Sequence, residues 1–87
     1  MEMTLKKLVK LLENYGLKVI DCIYEKTVFK LKAILDGIRV KLNIAQKQEK
    51  WLVNIELRTF LIDTIEEIPK FIVNYIRTNK ILLEFGG

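Results

Sequence analysis

Residues 28–44 read VFKLKAILDGIRVKLNI and contain the pair Asp36-Gly37 between two runs of alternating apolar and polar residues. This pattern predicts a tight β-hairpin, because both central residues of a type I′ turn need a positive φ. If these two residues form the turn, the cross-strand register follows. The apolar side of the hairpin then pairs Leu35 with Ile38, Ala33 with Val40, Leu31 with Leu42 and Phe29 with Ile44.

The opposite side of the hairpin is predicted to be basic and exposed. It pairs Ile34 with Arg39, Lys32 with Lys41 and Lys30 with Asn43. A register slip of one residue would bury the lysines, which makes this register the favoured one. Two lysines directly opposite each other destabilise a sheet unless they are neutralised. We expect Asp21 and Glu56, on the two flanking strands, to neutralise them.

The length of 87 residues predicts a single domain over residues 1–87, because it leaves no room for a second core. A folded chain is expected, because 51% of the residues are hydrophobic, 30% are charged and only one is proline. No apolar run approaches the ~18 residues that a transmembrane helix needs. The opening stretch, MEMTLKKLVKLLENYG, has lysines inside its apolar part, so it is predicted to be neither a signal peptide nor an anchor. The single cysteine fits a reducing compartment. We therefore expect a soluble, cytoplasmic protein that has no membrane partner.

The first element is predicted to be a helix over residues 4–15, because its apolar residues follow helical spacing. Thr4 is the candidate N-cap, and Gly16 is the candidate residue that ends the helix in the left-handed conformation. The polar side carries Lys6, Lys7 and Lys10. These lysines fit either an anion-binding or membrane-surface helix or a solvated face, and the solvated face is favoured.

Residues 17–25 are predicted to form the first strand, which turns at Lys26-Thr27 into the hairpin. Regular alternation places Ile20, Cys22 and Tyr24 on the core side and Val19, Asp21, Ile23 and Glu25 on the outer side. Cys22 is then a small buried hydrophobe rather than a nucleophile, because the chain has no histidine to act as its base.

A polar loop over residues 46–50 and a fourth strand over residues 51–58 are predicted to follow. Alternation directs Val53, Ile55 and Leu57 inward and Leu52, Asn54, Glu56 and Arg58 outward. Residues 59–64 are predicted to leave the sheet.

The second helix is predicted over residues 66–78, preceded by two overlapping capping-box patterns that begin at Thr64 and Asp63. Asp63, Glu66 and Glu67 fit either a magnesium site or an acidic helix N-terminus, and the N-terminus is favoured. The apolar tail over residues 81–85 has to extend the helix, add a strand or reach a partner subunit, and a strand or arm that covers a sheet edge is favoured.

The resulting fold class is α+β: a helix, a four-stranded antiparallel sheet and a helix, with a short C-terminal strand or arm. The sequence lacks histidine, Cys-x-x-Cys pairs and glycine-rich phosphate loops. We therefore expect a protein that is not an enzyme and that has no metal site, no cofactor and no small-molecule substrate.

The first functional hypothesis is sequence-independent nucleic-acid binding by a homodimer, because the net charge is +4 and the predicted outer sheet surface is basic. Tyr24 and Trp51 are candidates for base stacking, although no aromatic residue alternates with the outward lysines as in base-stacking sheets. The predicted phosphate contacts are Lys30, Lys32, Arg39, Lys41 and Arg58.

The alternative hypothesis is a homodimeric protein-interaction or chaperone-like assembly module that has no nucleic-acid role. It is motivated by apolar residues on the predicted outer surface and in the tail. The candidate interface residues are Val19, Ile23, Ile34, Leu52, Ile81, Leu83 and Phe85.

Overall fold

The structure is a computed structural model that describes the backbone of residues 2–86 and the side-chain surroundings of residues 5–83. Its elements are α1 (Glu2–Asn14), β1 (Lys18–Glu25), β2 (Val28–Leu35), β3 (Ile38–Lys47), β4 (Lys50–Ile55), β5 (Arg58–Ile62), α2 (Glu67–Thr78) and α3 (Lys80–Gly86). The strands form one antiparallel sheet in the order β1-β2-β3-β4-β5. The predicted α+β class is confirmed, but the sheet has five strands where four were predicted.

The hairpin of β2 and β3 has the predicted turn and the predicted register. Asp36 and Gly37 have φ values of 52° and 80°, both in the left-handed region. All four predicted apolar pairs, from Leu35 with Ile38 to Phe29 with Ile44, are present. Every one of these eight side chains is at most 4% exposed. They lie on the side of the sheet that we call the inner face.

The inner face is covered by α1 and α2. Leu8 and Leu12 of α1 and Ile68, Ile72 and Ile76 of α2 are completely buried in one cluster with the inner-face side chains. Each such side chain contributes about 1.5–3 kcal/mol when it is fully buried. The opposite side, the outer face, carries the polar side chains of β2 and β3.

The ends of α1 agree with the prediction at one end only. Gly16 has a φ of 97°, and the N–H of Leu17 donates to the carbonyl oxygen of Leu12 at 3.1 Å, which closes the helix as predicted. The helix begins at Glu2, so Thr4 lies inside it and is not its N-cap.

A β-bulge in β1 overturns the predicted alternation of that strand. Val19 pairs with Ala33 and Asp21 pairs with Lys32, so Ile20 is an extra residue between them. The bulge moves Val19 from the predicted outer face to the inner face, where it packs against the core. Ile20, which was predicted to be buried, is 45% exposed.

Beyond the bulge, β1 keeps its predicted register, but it is an edge strand. Tyr24 faces Phe29 as predicted, with their ring centroids 4.7 Å apart. Cys22 pairs with Leu31 on the inner face and is nevertheless exposed, so its predicted burial was wrong. The position of β1 at the sheet edge leaves this small side chain in contact with solvent.

The predicted fourth strand is two strands joined by a tight turn. β4 ends at Ile55, the chain reverses at Glu56-Leu57, and β5 pairs back along β4. Leu57, predicted to face inward, is 98% exposed in this turn, whereas Val53 and Ile55 are buried as predicted. The predicted loop over residues 46–50 is also shorter, because β3 reaches Lys47 and β4 starts at Lys50.

Aromatic packing explains why residues 58–62 return to the sheet. Phe60 of β5 lies on the inner face opposite Val53. Its ring centroid is 4.8 Å from that of Phe71 and 5.1 Å from that of Tyr75, both in α2. Such aromatic pairs contribute about 0.5–1.5 kcal/mol beyond the burial of their area.

The second helix lies close to its predicted bounds, but the predicted capping box does not form. Glu66 occupies the N-cap position without a side-chain cap, and the N–H of Glu67 instead donates to the carbonyl oxygen of Thr64 at 3.2 Å. At the other end, Nε of Arg77 lies 3.1 Å from Oδ2 of Asp36. This ion pair ties α2 to the turn between β2 and β3.

The C-terminal tail is a short helix rather than the predicted strand or arm. α3 contacts β3 and places Leu83 against the core. Phe85 belongs to α3, and the surroundings of its side chain lie outside the described part of the chain. None of the helices within residues 2–86 has both the length and the apolar character that crossing a membrane requires.

Candidate nucleic-acid interface

The outer face of the sheet is the side on which the described helices do not pack. Its side chains form rows that run across the strands, because the register is antiparallel and regular from β2 to β5. One row toward the β3–β4 turn is mostly apolar and consists of Glu25, Val28, Ala45, Leu52 and Leu61, and the cross-strand pair Lys47 and Lys50 lies beyond it. Most of the basic residues of the outer face lie toward the other end, beside Asp36-Gly37. The apolar row therefore lies between two groups of basic residues.

Three of the predicted phosphate contacts come together at this basic end. Lys32 and Lys41 are cross-strand partners, and Arg39 lies two residues from Lys41 on the same side of β3. All three are exposed and line a shallow depression of about 310 Å³, together with Ile20 and Glu56.

Lys18 extends this cluster, and sequence reasoning missed it. The bulge in β1 places Lys18 opposite Ile34, in the same outer row as Arg39. A signal for the bulge was present, because regular alternation would have put this lysine on the core side of β1. We call the four residues Lys18, Lys32, Arg39 and Lys41 the basic patch.

The predicted row of carboxylate, lysine, lysine and carboxylate exists in register but not as ion pairs. Asp21 is opposite Lys32, and Glu56 accepts a hydrogen bond of 3.1 Å from the backbone N–H of Lys41 rather than from its ammonium group. Among the side chains described, residues 5–83, no carboxylate lies within salt-bridge distance of the basic patch. The cations of the patch are therefore available to an external anion.

The other two predicted contacts are not free cations of the basic patch. Lys30 is on the outer face, but its ammonium group is 3.2 Å from the carboxylate of Glu25. Arg58 was predicted to face outward and instead pairs with Ile55, a buried inner-face residue. It lines a depression on the helix side of the sheet beside Leu57 and Leu82. Its predicted outward direction was wrong, because the chain turns back at Glu56-Leu57.

Neither aromatic candidate for base stacking reaches the outer face. Tyr24 packs on Phe29 on the inner face, and Trp51 is 6% exposed and belongs to the core. A ligand on the outer face therefore meets charges and aliphatic side chains, without an aromatic platform from either residue.

The candidate interface residues are divided between two surfaces. Ile23 is 50% exposed on the outer face, and Ile34 and Leu52 are half-buried there. Ile81 is 75% exposed in α3 on the other side of the molecule, next to the half-buried Leu83. Val19 is half-buried against the core on the inner face, so one interface cannot use all of the predicted residues.

The remaining charged clusters have local roles. Lys6, Lys7 and Lys10 belong to α1, which covers the inner face, so they lie across the sheet from the basic patch. Nζ of Lys7 is 3.1 Å from Oε2 of Glu66, and this hydrogen bond holds the pKa of that carboxyl below its usual range. Asp63 pairs with Lys50 at 3.3 Å. Within the described residues, no three cysteine or carboxylate side chains are grouped closely enough to hold a metal ion.

Comparison with known proteins gave no match. No family model matches the chain, and neither the curated proteins nor the solved structures contain a match.

Proposed function

We propose that this protein is a non-enzymatic nucleic-acid-binding protein that acts as a homodimer and contacts phosphate groups through the basic patch. The observation that carries the proposal is the meeting of Lys32, Arg39 and Lys41 around one depression without an ion-pair partner among the described side chains. Phosphate oxygens are the groups that exposed Lys and Arg side chains contact in nucleic acids.

Binding at this patch is independent of base sequence. Base-edge readout needs side chains that enter a groove, and stacking on aromatic side chains adds affinity that tolerates any base. The basic patch offers cations on a sheet surface, and Tyr24 and Trp51 are on the other side of that sheet. Affinity therefore comes from counterion release and falls as the salt concentration rises.

A gel-shift titration at two salt concentrations tests this proposal. For about three phosphate contacts, affinity falls roughly 20- to 40-fold between about 50 and 200 mM salt. The double variant Arg39→Ala/Lys41→Ala removes two contacts and most of this salt dependence. The matched control Lys10→Ala/Lys70→Ala removes the same charge from exposed positions of α1 and α2 and leaves binding almost unchanged. If the wild-type protein shows no salt-sensitive gel shift, the proposal is wrong.

A second candidate function, a homodimeric or chaperone-like assembly module, is favoured by exposed apolar side chains on the helix side. Leu57 is 98% exposed, Ile81 75% and Leu82 63%. Leu57 and Leu82 line one depression of about 390 Å³ with Arg58. Apolar side chains clustered at a surface are typical of protein–protein contacts.

Light scattering across micromolar to millimolar protein concentrations tests this second function. If the helix-side residues carry the contact, Leu57→Ser and Leu82→Ser weaken self-association. The control Leu61→Ser, which changes a leucine that is 57% exposed on the outer face, leaves it intact. A protein that stays monomeric over the whole range would remove the homodimer from both functions.

A further inference from the structure

We infer that the basic patch accepts a single-stranded nucleic acid in preference to a duplex, because its cations face one phosphate backbone only. This inference rests on the proposed function and names the ligand of the same site.

The cations form a narrow track along β2 and β3. Lys32 and Lys41 face each other on neighbouring strands, which are about 5 Å apart in a sheet. Arg39 lies one outer row further along the track toward Asp36-Gly37, and Lys30, whose ammonium group pairs with Glu25, lies one outer row in the other direction. Three such rows span about 13 Å at the usual rise of a strand. The track is therefore about 13 Å long and about 5 Å wide.

Carboxylates border the track on both sides in its central row. Asp21 of β1 is opposite Lys32. Beside Lys41, the backbone N–H of Glu56 donates to the Lys41 carbonyl oxygen at 3.1 Å. The Glu56 carboxylate is held in place because it accepts the N–H of Lys41, also at 3.1 Å. A phosphate that moves sideways from the track by one strand thus approaches a negative charge.

A duplex presents two backbones across a groove about 6 or 12 Å wide. When one backbone follows the track, the other lies to one side of it. On the β1 side it lies over Asp21, and on the β4 side it lies over Glu56 and the neutral Asn54. In these central rows, the described residues beside the track include no basic side chain. The higher charge density of a duplex favours it on a broad basic surface. Here the bordering carboxylates oppose that advantage. Lys18 widens the patch only in the row of Arg39, at the end of the track.

The two ligands can be compared directly by fluorescence anisotropy at one salt concentration. The probes are a labelled oligothymidylate of about 20 nucleotides and a mixed-sequence DNA duplex of about 20 base pairs, both longer than the ~4–16 nucleotides that single-strand modules cover. We expect the single strand to bind at least about five-fold tighter, which is the effect of one like-charge contact at short range in water.

The variant Asp21→Asn/Glu56→Gln tests whether the carboxylates cause this preference. Both changes keep an oxygen acceptor, so the new amide at position 56 can still accept the backbone N–H of Lys41, and a thermal melt checks that the fold is retained. Duplex affinity then rises more than single-strand affinity. The control Glu49→Gln removes one negative charge at the β3–β4 turn, at the far end of the outer face, and raises both affinities equally.

Each outcome decides the inference. Duplex binding that equals or exceeds single-strand binding in the wild type overturns it and leaves the proposed function standing. An unchanged ratio of the two affinities in the double variant also overturns it. If neither probe shows salt-sensitive binding, the proposed function and this inference are both wrong.

Discussion

Two hairpins of the same sheet, β2–β3 and β4–β5, reverse the chain in two residues each but for different reasons. In the first, Asp36 and Gly37 both have positive φ values, which their residue types tolerate. In the second, Glu56 has a φ of 56° and Leu57 is almost completely exposed, although neither residue type is common in tight turns. The first hairpin is specified locally, whereas the second is specified by what its strands bury.

The second turn shows how tertiary packing overrides local preference. Pairing β5 with β4 places Phe60 against the aromatic rings of α2 and Ile62 opposite the buried Trp51. A left-handed conformation costs a non-glycine residue about 1–2 kcal/mol. The two hydrogen bonds of Glu56 with the backbone of Lys41 offset part of this free-energy cost. The local strain is thus concentrated at one residue that also borders the basic patch.

If packing specifies the second hairpin, removing its aromatic anchor has the largest effect. Phe60→Ala is expected to lower the free energy of unfolding by about 2 kcal/mol, less than the 3–5 kcal/mol typical of a fully buried ring because Phe60 is half-buried. Urea unfolding measures this loss. The control Leu61→Ala, on the exposed outer side of the same strand, changes stability by less than about 0.5 kcal/mol. Equal losses in both variants would contradict the packing explanation.

If turn chemistry specifies the first hairpin, Gly37→Ala costs about 1–2 kcal/mol, because alanine disfavours the φ of 80° at that position. No neighbouring atom obstructs an added Cβ there, so the loss reports backbone conformation alone. The matched change Leu57→Ala, at the second residue of the other turn, is expected to be nearly neutral. Thermal or urea unfolding of the two variants compares the turns directly, and a larger loss at Leu57 would reverse our interpretation.

The same contrast shows how much of the fold can be predicted from the sequence. Asp36-Gly37 and the alternation around it specify one register, and all predicted pairs between β2 and β3 are present. The turn at Glu56-Leu57 gives no such signal, and residues 51–58 also fit a single strand by periodicity. The alternation of Phe60 and Ile62 was the only indication of β5, and five residues are too few for periodicity to decide.

The candidate site was predictable to the same extent as the hairpins that carry it. Lys32, Arg39 and Lys41 lie in the first hairpin and were placed correctly on the outer face. Arg58 was misplaced because it follows the turn that the sequence does not reveal. Lys18 was missed because a bulge adds one residue to the strand, and alternation carries no information about where such a residue is inserted.

The ion pair between Asp36 and Arg77 joins the first turn to α2 and is expected to have a small effect. Asp36→Asn keeps a residue type that tolerates the left-handed conformation and removes only the charge. Both side chains are more than one third exposed, 39% and 57%, so the loss is about 0.2–1 kcal/mol. It should disappear near 1 M salt, where the screening length is about 3 Å.

The corresponding pair near the second hairpin, between Lys50 and Asp63, is the comparison for that measurement. The Asp63 side chain is 72% exposed, so Asp63→Asn should cost less than Asp36→Asn. A loss at Asp36 that persists in high salt would mean that the aspartate acts through turn geometry rather than through Arg77.

The smallest expected effect is that of the ion pair between Lys7 and Glu66, which lies where the chain enters α2. The hydrogen bond from Lys7 lowers the pKa of Glu66 in the folded protein. The unfolded chain therefore takes up the proton first as the pH falls below the ordinary range of a glutamate, and the stabilisation present at neutral pH is lost as the pH falls through the folded-state pKa. Unfolding measured against pH should show this loss in the wild type.

The variant Lys7→Gln is expected to flatten that part of the pH dependence, because it removes the ammonium group that favours the ionised carboxylate. Lys10→Gln removes the same charge from an exposed position of α1 and should leave the slope as it is in the wild type. An NMR titration of the Glu66 carboxyl supplies the direct measurement, and a pKa that does not rise in Lys7→Gln would contradict the assignment. Since the Glu66 side chain is 61% exposed, its pair with Lys7 adds little to stability, and the entry into α2, like the second turn, depends on the side chains that the helix buries.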